Sequence, residues 1–310
     1  MSDAALATEE PSPEVLASPG PVPRPRRRIL VTGSGGMLGS DLVPVLIAAG
    51  LDVYARPRLD LDVTSAPDVA RVFRDVQPNV VVNCAAFTKV DDCEADPRSE
   101  QVNAGGVRVL AESCLRHACD LVQVSSDFVF DGTKKAPYVE DDAPHPLSAY
   151  GRGKRKGEEE ALRVPSGLVV RSSWLFGSGG WNFVEAILKQ VESGRKSLSV
   201  VNDQTGKPTA TPDLAEAILA LIEAGAVGVY HFANRGEVTW FDFAREILDL
   251  SERGDVKVEP TDSATLNRPA QRPAYSVLDS SRYERVTGRP VRHYREALVE
   301  YLAARRRPEA

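Results

Sequence analysis

No stretch of about 18 consecutive apolar residues, the length a helix needs to cross a bilayer, occurs in the sequence. Basic residues are in deficit. The 38 Lys and Arg against 44 Asp and Glu leave a net charge of −6, the wrong sign for gripping a nucleic-acid backbone. Cysteine is scarce, and Cys84, Cys93, Cys114 and Cys119 include no Cys-x-x-Cys pair, which suits reduced thiols in a cytoplasmic protein. Cys114, His117 and Cys119 lie close together, but a predicted helix ends and a strand begins there, and no fourth ligand is evident. The cysteines are read as core packing, and no metal is expected. No secretory signal is expected in this segment, because the order of its parts is reversed: Pro-rich, acidic sequence comes first and the basic run Arg24-Pro25-Arg26-Arg27-Arg28 last. Asp3, Glu9, Glu10 and Glu14 argue against a transit peptide, so residues 1–25 are expected to form a disordered tail.

What remains is an ordinary globular composition, 42% apolar and 26% charged over 310 residues, with room for one large domain or two modest ones. From Arg28 onward, short apolar runs alternate with helical patterns. Strands are predicted at 29–32, 53–55, 80–83, 121–125 and 168–171, and helices at 37–49, 66–76, 102–117 and 148–162. Fully apolar strands alternating with helices imply a parallel sheet covered on both faces. After Ser172 the rhythm loosens: helices at 183–191, 213–224 and 240–250 (the last capped by Thr239), strands at 198–201 and 229–232, a loop-rich stretch at 260–273, and helical segments within 281–302. The expected architecture is α/β, a doubly wound parallel Rossmann sheet over 26–172. A smaller C-terminal substrate-binding lobe over 173–310 is interleaved with the end of the sheet.

The run Val31-Thr32-Gly33-Ser34-Gly35-Gly36-Met37-Leu38-Gly39 follows the first strand and opens a helix. There Gly33 permits a sharp turn, Gly36 lets backbone approach a pyrophosphate, and Gly39 lets helix and strand pack closely, with Met37 and Leu38 in the first turn. Free N–H groups at that helix start favour phosphate. NAD-preferring sites place an acid at the end of the second strand. This chain has Ala55-Arg56-Pro57-Arg58 instead, and a guanidinium there can pair with a 2′-phosphate. NADPH is therefore the expected cofactor, with NADH the alternative. Asp62 and Val63 are placed beside the adenine, and Ala85, Ala86, Phe87 and Thr88 along the cofactor's midsection.

Tyr150 and Lys154 are four residues apart, on one face of a predicted helix. A Lys ammonium favours the phenolate and is expected to lower the Tyr150 pKa, while also reaching the nicotinamide ribose. Tyr150 can then give a proton to a carbonyl oxygen as hydride reaches its carbon. Ser125-Ser126-Asp127 ends the fourth strand, where open α/β sheets bind ligands. Ser125 is assigned to the cofactor, and the Ser126 hydroxyl to orienting the substrate oxygen beside Tyr150.

These motifs resemble the dTDP-4-dehydrorhamnose reductase family of extended short-chain dehydrogenases/reductases, over about Arg28 to Leu302. Beyond the glycine and Tyr-Lys motifs, the resemblance rests on Asn83 to Asp91, Ser125 to Gly132, Arg171 to Gly177, Gly228 to His231 and Thr239 to Phe243. Two further runs, Asn202 to Thr209 and Arg272 to Asp279, are more family-specific. The resemblance implies NADPH-dependent reduction of the C4 ketone of dTDP-6-deoxy-L-lyxo-4-hexulose to dTDP-L-rhamnose, by a monomer or homodimer. Tyr150 would be the proton donor, Lys154 its partner, Asp127 a substrate-contacting acid and Trp174 a residue of the sugar site. Ser126 stands where the family usually has Thr, and Phe128 where Tyr is frequent, which removes one hydroxyl. Nucleotide-sugar 4,6-dehydratases follow the strand-end Thr with Asp-Glu; here Phe128 follows Asp127, so the elimination acid is missing. An epimerising enzyme, another 4-keto-sugar reductase, and a non-catalytic NADP-binding regulatory subunit like that of methionine adenosyltransferase are the competing readings.

Overall fold

The computed structural model describes residues 27–306, and the expected tail at 1–25 lies outside them. The first half alternates as its hydrophobic pattern requires: β1 (Arg28–Thr32), α1 (Met37–Ala48), β2 (Asp52–Arg56), α2 (Ala66–Val76), β3 (Val80–Asn83), then helix α3 (Arg98–Glu100) running into α4 (Val107–His117), β4 (Asp120–Ser126), α5 (Ala149–Ala161) and β5 (Leu168–Ser172). The second half supplies β6 (Leu175–Phe176), α6 (Phe183–Glu192), β7 (Ser197–Val201), β8 (Thr205–Gly206), β9 (Thr209–Ala210), α7 (Thr211–Glu223) and β10 (Gly228–His231). It ends with β11 (Val238–Thr239), α8 (Trp240–Leu250), β12 (Lys257–Thr261), α9 (Ser263–Leu266), α10 (Ser281–Thr287) and α11 (Tyr294–Arg305).

Six strands form one parallel sheet in the order β10-β5-β4-β3-β1-β2. The strand order reverses beside β1, which opens a crevice at the strands' C-terminal ends. On one face Leu38, Leu42 and Leu46 of α1 pack with the apolar side of α7. On the other, Val69, Val72 and Phe73 of α2 pack with Leu110 and Cys114 of α4. A third core is built from α6, α8, α11 and β7. The sheet takes β10 from between β7 and α8 in the chain, so the sheet and this core interleave along the sequence.

Two local features depart from expectation. The helix predicted at 102–117 begins at Arg98 and passes through a π-helical stretch, Gln101–Gly106, before α4. Gly106 there lies so close to Val63 that a Cβ would sit 2.8 Å from its Cγ2. The stretch read as loop from 260 contains the end of β12, which pairs in parallel with β7. β12 is mostly exposed and carries Pro260, both of which are tolerated in an edge strand but hide it from a hydrophobic pattern.

Candidate active site

The glycine turn is a fitted cradle. Gly33 has φ +61°, and a Cβ on it would fall 2.6 Å from the Ala85 backbone nitrogen; one on Gly39 would fall 2.5 Å from Ser34 Cα. Helix α1 begins at Gly36 with no side-chain cap, so its first N–H groups carry the helix's partial positive charge without a protein acceptor. A dinucleotide's pyrophosphate fits such a cradle. Leu38 is buried beneath it, and the Met37 sulfur accepts from Asn182 Nδ2 at 3.9 Å, bringing the loop after β6 over the helix start. Arg56 ends β2 beside the turn, its carbonyl accepting from Ser34 N at 3.4 Å, and Arg58 follows on an exposed turn. Asp62 is exposed and accepts from the Thr64 amide at 2.9 Å, leading the chain into α2, while Val63 is buried against Gly106.

A polar ladder runs under the crevice. Thr32 Oγ1 donates to Asn83 at 2.6 Å, and Asn83 Nδ2 donates to Gln123 at 2.7 Å. The Ala85-Ala86-Phe87-Thr88 turn is held from below by Asn103 of the π-helical stretch, which accepts from Phe87 N at 2.9 Å and donates to Phe87 O at 3.0 Å. Asn103 is buried, and its positioning role was not read from the sequence. Gly105-Gly106 just after it is the local signal of an unusual helix.

At the end of β4, Ser126 Oγ donates to Asp127 Oδ1 at 2.9 Å and accepts from Phe128 N at 3.2 Å. The Tyr150 phenol neighbours the same hydroxyl, which pulls its pKa downward. Tyr150 also meets Phe128 edge-on, with ring centroids 5.5 Å apart. Helix α5, which carries Tyr150, is capped by Ser148 Oγ accepting from Gly151 N at 3.1 Å. Asp127 is buried with Oδ2 unpartnered. Burial pushes its carboxyl up to about 6, against the pull of the neighbouring Ser276 and Ser126 hydroxyls.

Lys154 corrects one expectation. It does not lower the Tyr150 pKa. Burial holds the phenol above its ordinary value, Ser126 pulls the other way, and the Asp127 charge adds to the rise. The ammonium is instead directed to the Val124 carbonyl at 2.7 Å, on the Cys84 and Glu158 side of α5, and burial brings it down to about 8. Ser125 is likewise engaged away from the crevice, donating to Glu158 at 2.6 Å.

A cavity of about 340 Å³ adjoins this cluster through Phe128 and Ser276. Trp174 and Trp240 line it as a parallel stack, centroids 3.5 Å apart, above Gly206, where a Cβ would fall 2.4 Å from the Trp174 ring. Trp174 adopts φ +48°, rare for a side chain of this size, and Thr209 N donates to its carbonyl at 3.2 Å. The cavity's lining includes apolar Ile187, Leu198 and Val200 together with the cations Arg268 and Arg272. An elongated ligand with a flat ring and an anionic centre matches such a lining.

Fold and site together define a class: a Rossmann-type reductase with the Ser-Tyr-Lys constellation of short-chain dehydrogenases. Within it, the chain belongs to the family described as the RmlD substrate binding domain, which matches residues 27–307. It is 43% identical to a dTDP-4-dehydrorhamnose reductase of Streptomyces griseus over 91% of this chain and 95% of that protein. It is 40% identical to a dTDP-4-keto-6-deoxy-D-glucose reductase of Streptomyces niveus over 88% of this chain and 96% of that protein. Among solved structures, the dTDP-4-dehydrorhamnose reductase of Bacillus anthracis in complex with NADP superposes with a TM-score of 0.84 at 32% identity, covering 90% of this chain and 99% of that one.

Proposed function

We propose that this protein uses NADPH to reduce the C4 ketone of dTDP-6-deoxy-L-lyxo-4-hexulose, giving dTDP-L-rhamnose for cell-surface polysaccharide. The observation that carries the reading is the clustering of Tyr150, Ser126 and Asp127 around Phe128, which lines a cavity shared with paired tryptophans and two arginines. The name and NADP complex of the Bacillus anthracis relative support the cofactor.

Gly33, Gly36 and Gly39 would hold the pyrophosphate, Arg56 and Arg58 the 2′-phosphate, Asp62 and Val63 the adenine end, and Lys154 the nicotinamide ribose. When bound, NADPH supplies the hydride that reaches the ketone carbon. Ser126, whose single hydroxyl proton points to Asp127 here, would orient the ketone oxygen when that proton turns to the substrate. Tyr150, kept protonated through neutral pH by its burial, gives that oxygen the proton it needs as negative charge develops there. Asp127 holds the Ser126 hydroxyl in place and faces the sugar, while Trp174 offers its free edge to the ligand. The division into a sheet domain over 26–172 and a substrate lobe over 173–310 belongs to the same proposal, as does assembly as a monomer or homodimer. A cytoplasmic location fits its four free cysteines.

The test is NADPH consumption by the purified protein with dTDP-, UDP- and GDP-linked 4-keto sugars. Turnover confined to the dTDP-L-lyxo ketone is expected. The Streptomyces niveus relative motivates the second reading, a different dTDP-4-keto sugar, which preferential turnover of the D-xylo ketone would favour. No NADPH oxidation with any of them would leave the non-catalytic reading.

A further inference from the structure

One charged group at the site has no part in the chemistry above. Glu158 lies one turn beyond Lys154 on α5 and is completely buried. Its carboxylate accepts from Arg171 Nε and Nη2, both at 2.8 Å, from Ser125 Oγ at 2.6 Å and, more weakly, from Arg155 Nη1 of its own helix at 3.4 Å. Arg171, itself buried, ends β5 and donates Nη1 to His231 Nε2 at 3.3 Å. Burial and the Arg171 charge bring the His231 ring down to about 3, so it is neutral and its Nδ1–H donates to the Tyr138 carbonyl at 3.0 Å. Glu158 therefore joins helix α5 to the C-terminal ends of β4, β5 and β10.

A buried ion pair of this kind is a poor source of stability. The desolvation of both ions cancels most of the attraction, and an apolar pair of similar volume often serves as well. Its position suggests another use. Lys154 and Glu158 grip consecutive residues of β4, Lys154 through the Val124 carbonyl and Glu158 through the Ser125 hydroxyl. Two polar bonds one strand residue apart fix both the rotation and the axial position of the helix that presents Tyr150.

We propose that Glu158 is a positioning residue of the reductase site: it locks the face of α5 bearing Tyr150 and Lys154 against the strand ends and keeps the buried Lys154 an ammonium. The groups facing Lys154 are few. Cys84 beyond β3 holds its thiol proton to about pH 12, β4 offers the Val124 carbonyl, and among the described residues Glu158 on its own helix is the carboxylate that raises it. Arg171 from β5 stands behind Glu158. Without Glu158, desolvation acts on Lys154 unopposed, and the ammonium deprotonates at lower pH.

The inference rests on the reductase reading for the importance of Lys154, so it is tested without substrate. The apoprotein, ¹³C-labelled at lysine Cε and assigned with Lys154→Arg, is titrated by NMR. In Glu158→Gln, which keeps the shape, removes the charge and turns one acceptor oxygen into an NH2 donor, the Lys154 midpoint should fall by about one pH unit. NADPH binding, followed by fluorescence, should weaken in the same pH range. Because Glu158→Gln leaves Arg171 buried and unneutralised, the double variant Glu158→Gln/Arg171→Met is measured beside it. The double variant should recover the wild-type Tm and still show the lowered midpoint. A folded variant of either kind with an unmoved midpoint would reduce Glu158 to a brace of the fold. Failure of both to fold would do the same. Absence of keto-sugar turnover in the wild type would sink the reductase reading alone and leave the titration standing.

Discussion

At the scale of single residues, Tyr150 and Asp127 sit against the same serine with opposite consequences. Tyr150→Phe keeps the ring packed on Phe128 and deletes the proton. Its kcat should fall by about 100- to 10,000-fold while NADPH still binds. Because the Tyr150 phenol is held above its ordinary value and Lys154 is brought down to about 8, the alkaline loss of activity belongs to Lys154. Tyr150→Phe should therefore retain that limb in its residual rate; a limb that vanished would assign it to Tyr150. Asp127 is raised from 3.8 to about 6 by burial, so the folded state binds its proton more tightly than the unfolded chain does. The stabilising contribution is complete below pH 3.8 and is lost as pH rises through about 6, leaving a charged, half-satisfied carboxylate at neutrality. Asp127→Asn should then gain on the order of 1–3 kcal/mol at pH 8 and far less at pH 4, read from thermal melts at both. An equal gain at the two pH values would mean that the charge is not the cost.

At the scale of elements, the site depends on how closely α5 approaches its neighbours. A Cβ on Gly151 would fall 2.2 Å from the Phe128 carbonyl oxygen, and one on Gly157 would fall 2.3 Å from that of Asn103. Both obstacles are backbone, which cannot swing aside. Gly157→Ala gains roughly 1 kcal/mol of helix propensity, and the clash outweighs it, because overpacking typically costs about 1–3 kcal/mol and the helix must also lift. We expect a lower Tm and a loss of kcat exceeding the loss of NADPH affinity. Gly105→Ala is the control in the facing π-helical stretch, since nothing lies within 4 Å of its Cβ position. It should be neutral or slightly stabilising. Equal damage from both substitutions would trace the effect to the π-helical stretch as a whole.

At the scale of the whole molecule, the sheet and the C-terminal lobe are tied beside the cavity. Asp91, beyond the turn after β3, receives both Arg272 Nη1 at 3.0 Å and Nη2 at 2.8 Å, and the Ala270 amide at 3.2 Å. Arg272 also lines the cavity, so the strap fixes one wall of the ligand site. Asp91→Asn breaks the charge pair without changing shape. The pair is bidentate and Arg272 is largely shielded, so Tm should fall modestly while KM for the sugar nucleotide rises by about 3- to 10-fold and NADPH affinity holds. A fall in NADPH affinity of the same size would place the strap's effect on the cofactor side.

The sequence by itself determined the alternation of strands and helices through the sheet, the helix cap at Thr239, and the glycine turn, because each rests on local chemistry: a period, a hydroxyl before a helix, a backbone angle. It also placed Tyr150 and Lys154 together, since four residues along a helix make neighbours without further information. It did not reveal Asn103, Glu158 or Ser276, which look like ordinary polar residues until distant segments enclose them. Nor did it fix the direction of the Tyr150 pKa. A charge four residues away suggested a decrease, but only the folded molecule shows how much water is excluded around the phenol and that the Lys154 ammonium is spent on a strand carbonyl. Charge type and spacing are properties of the chain; desolvation and the partner finally chosen depend on what the rest of the chain packs around them, and that the tertiary structure decided.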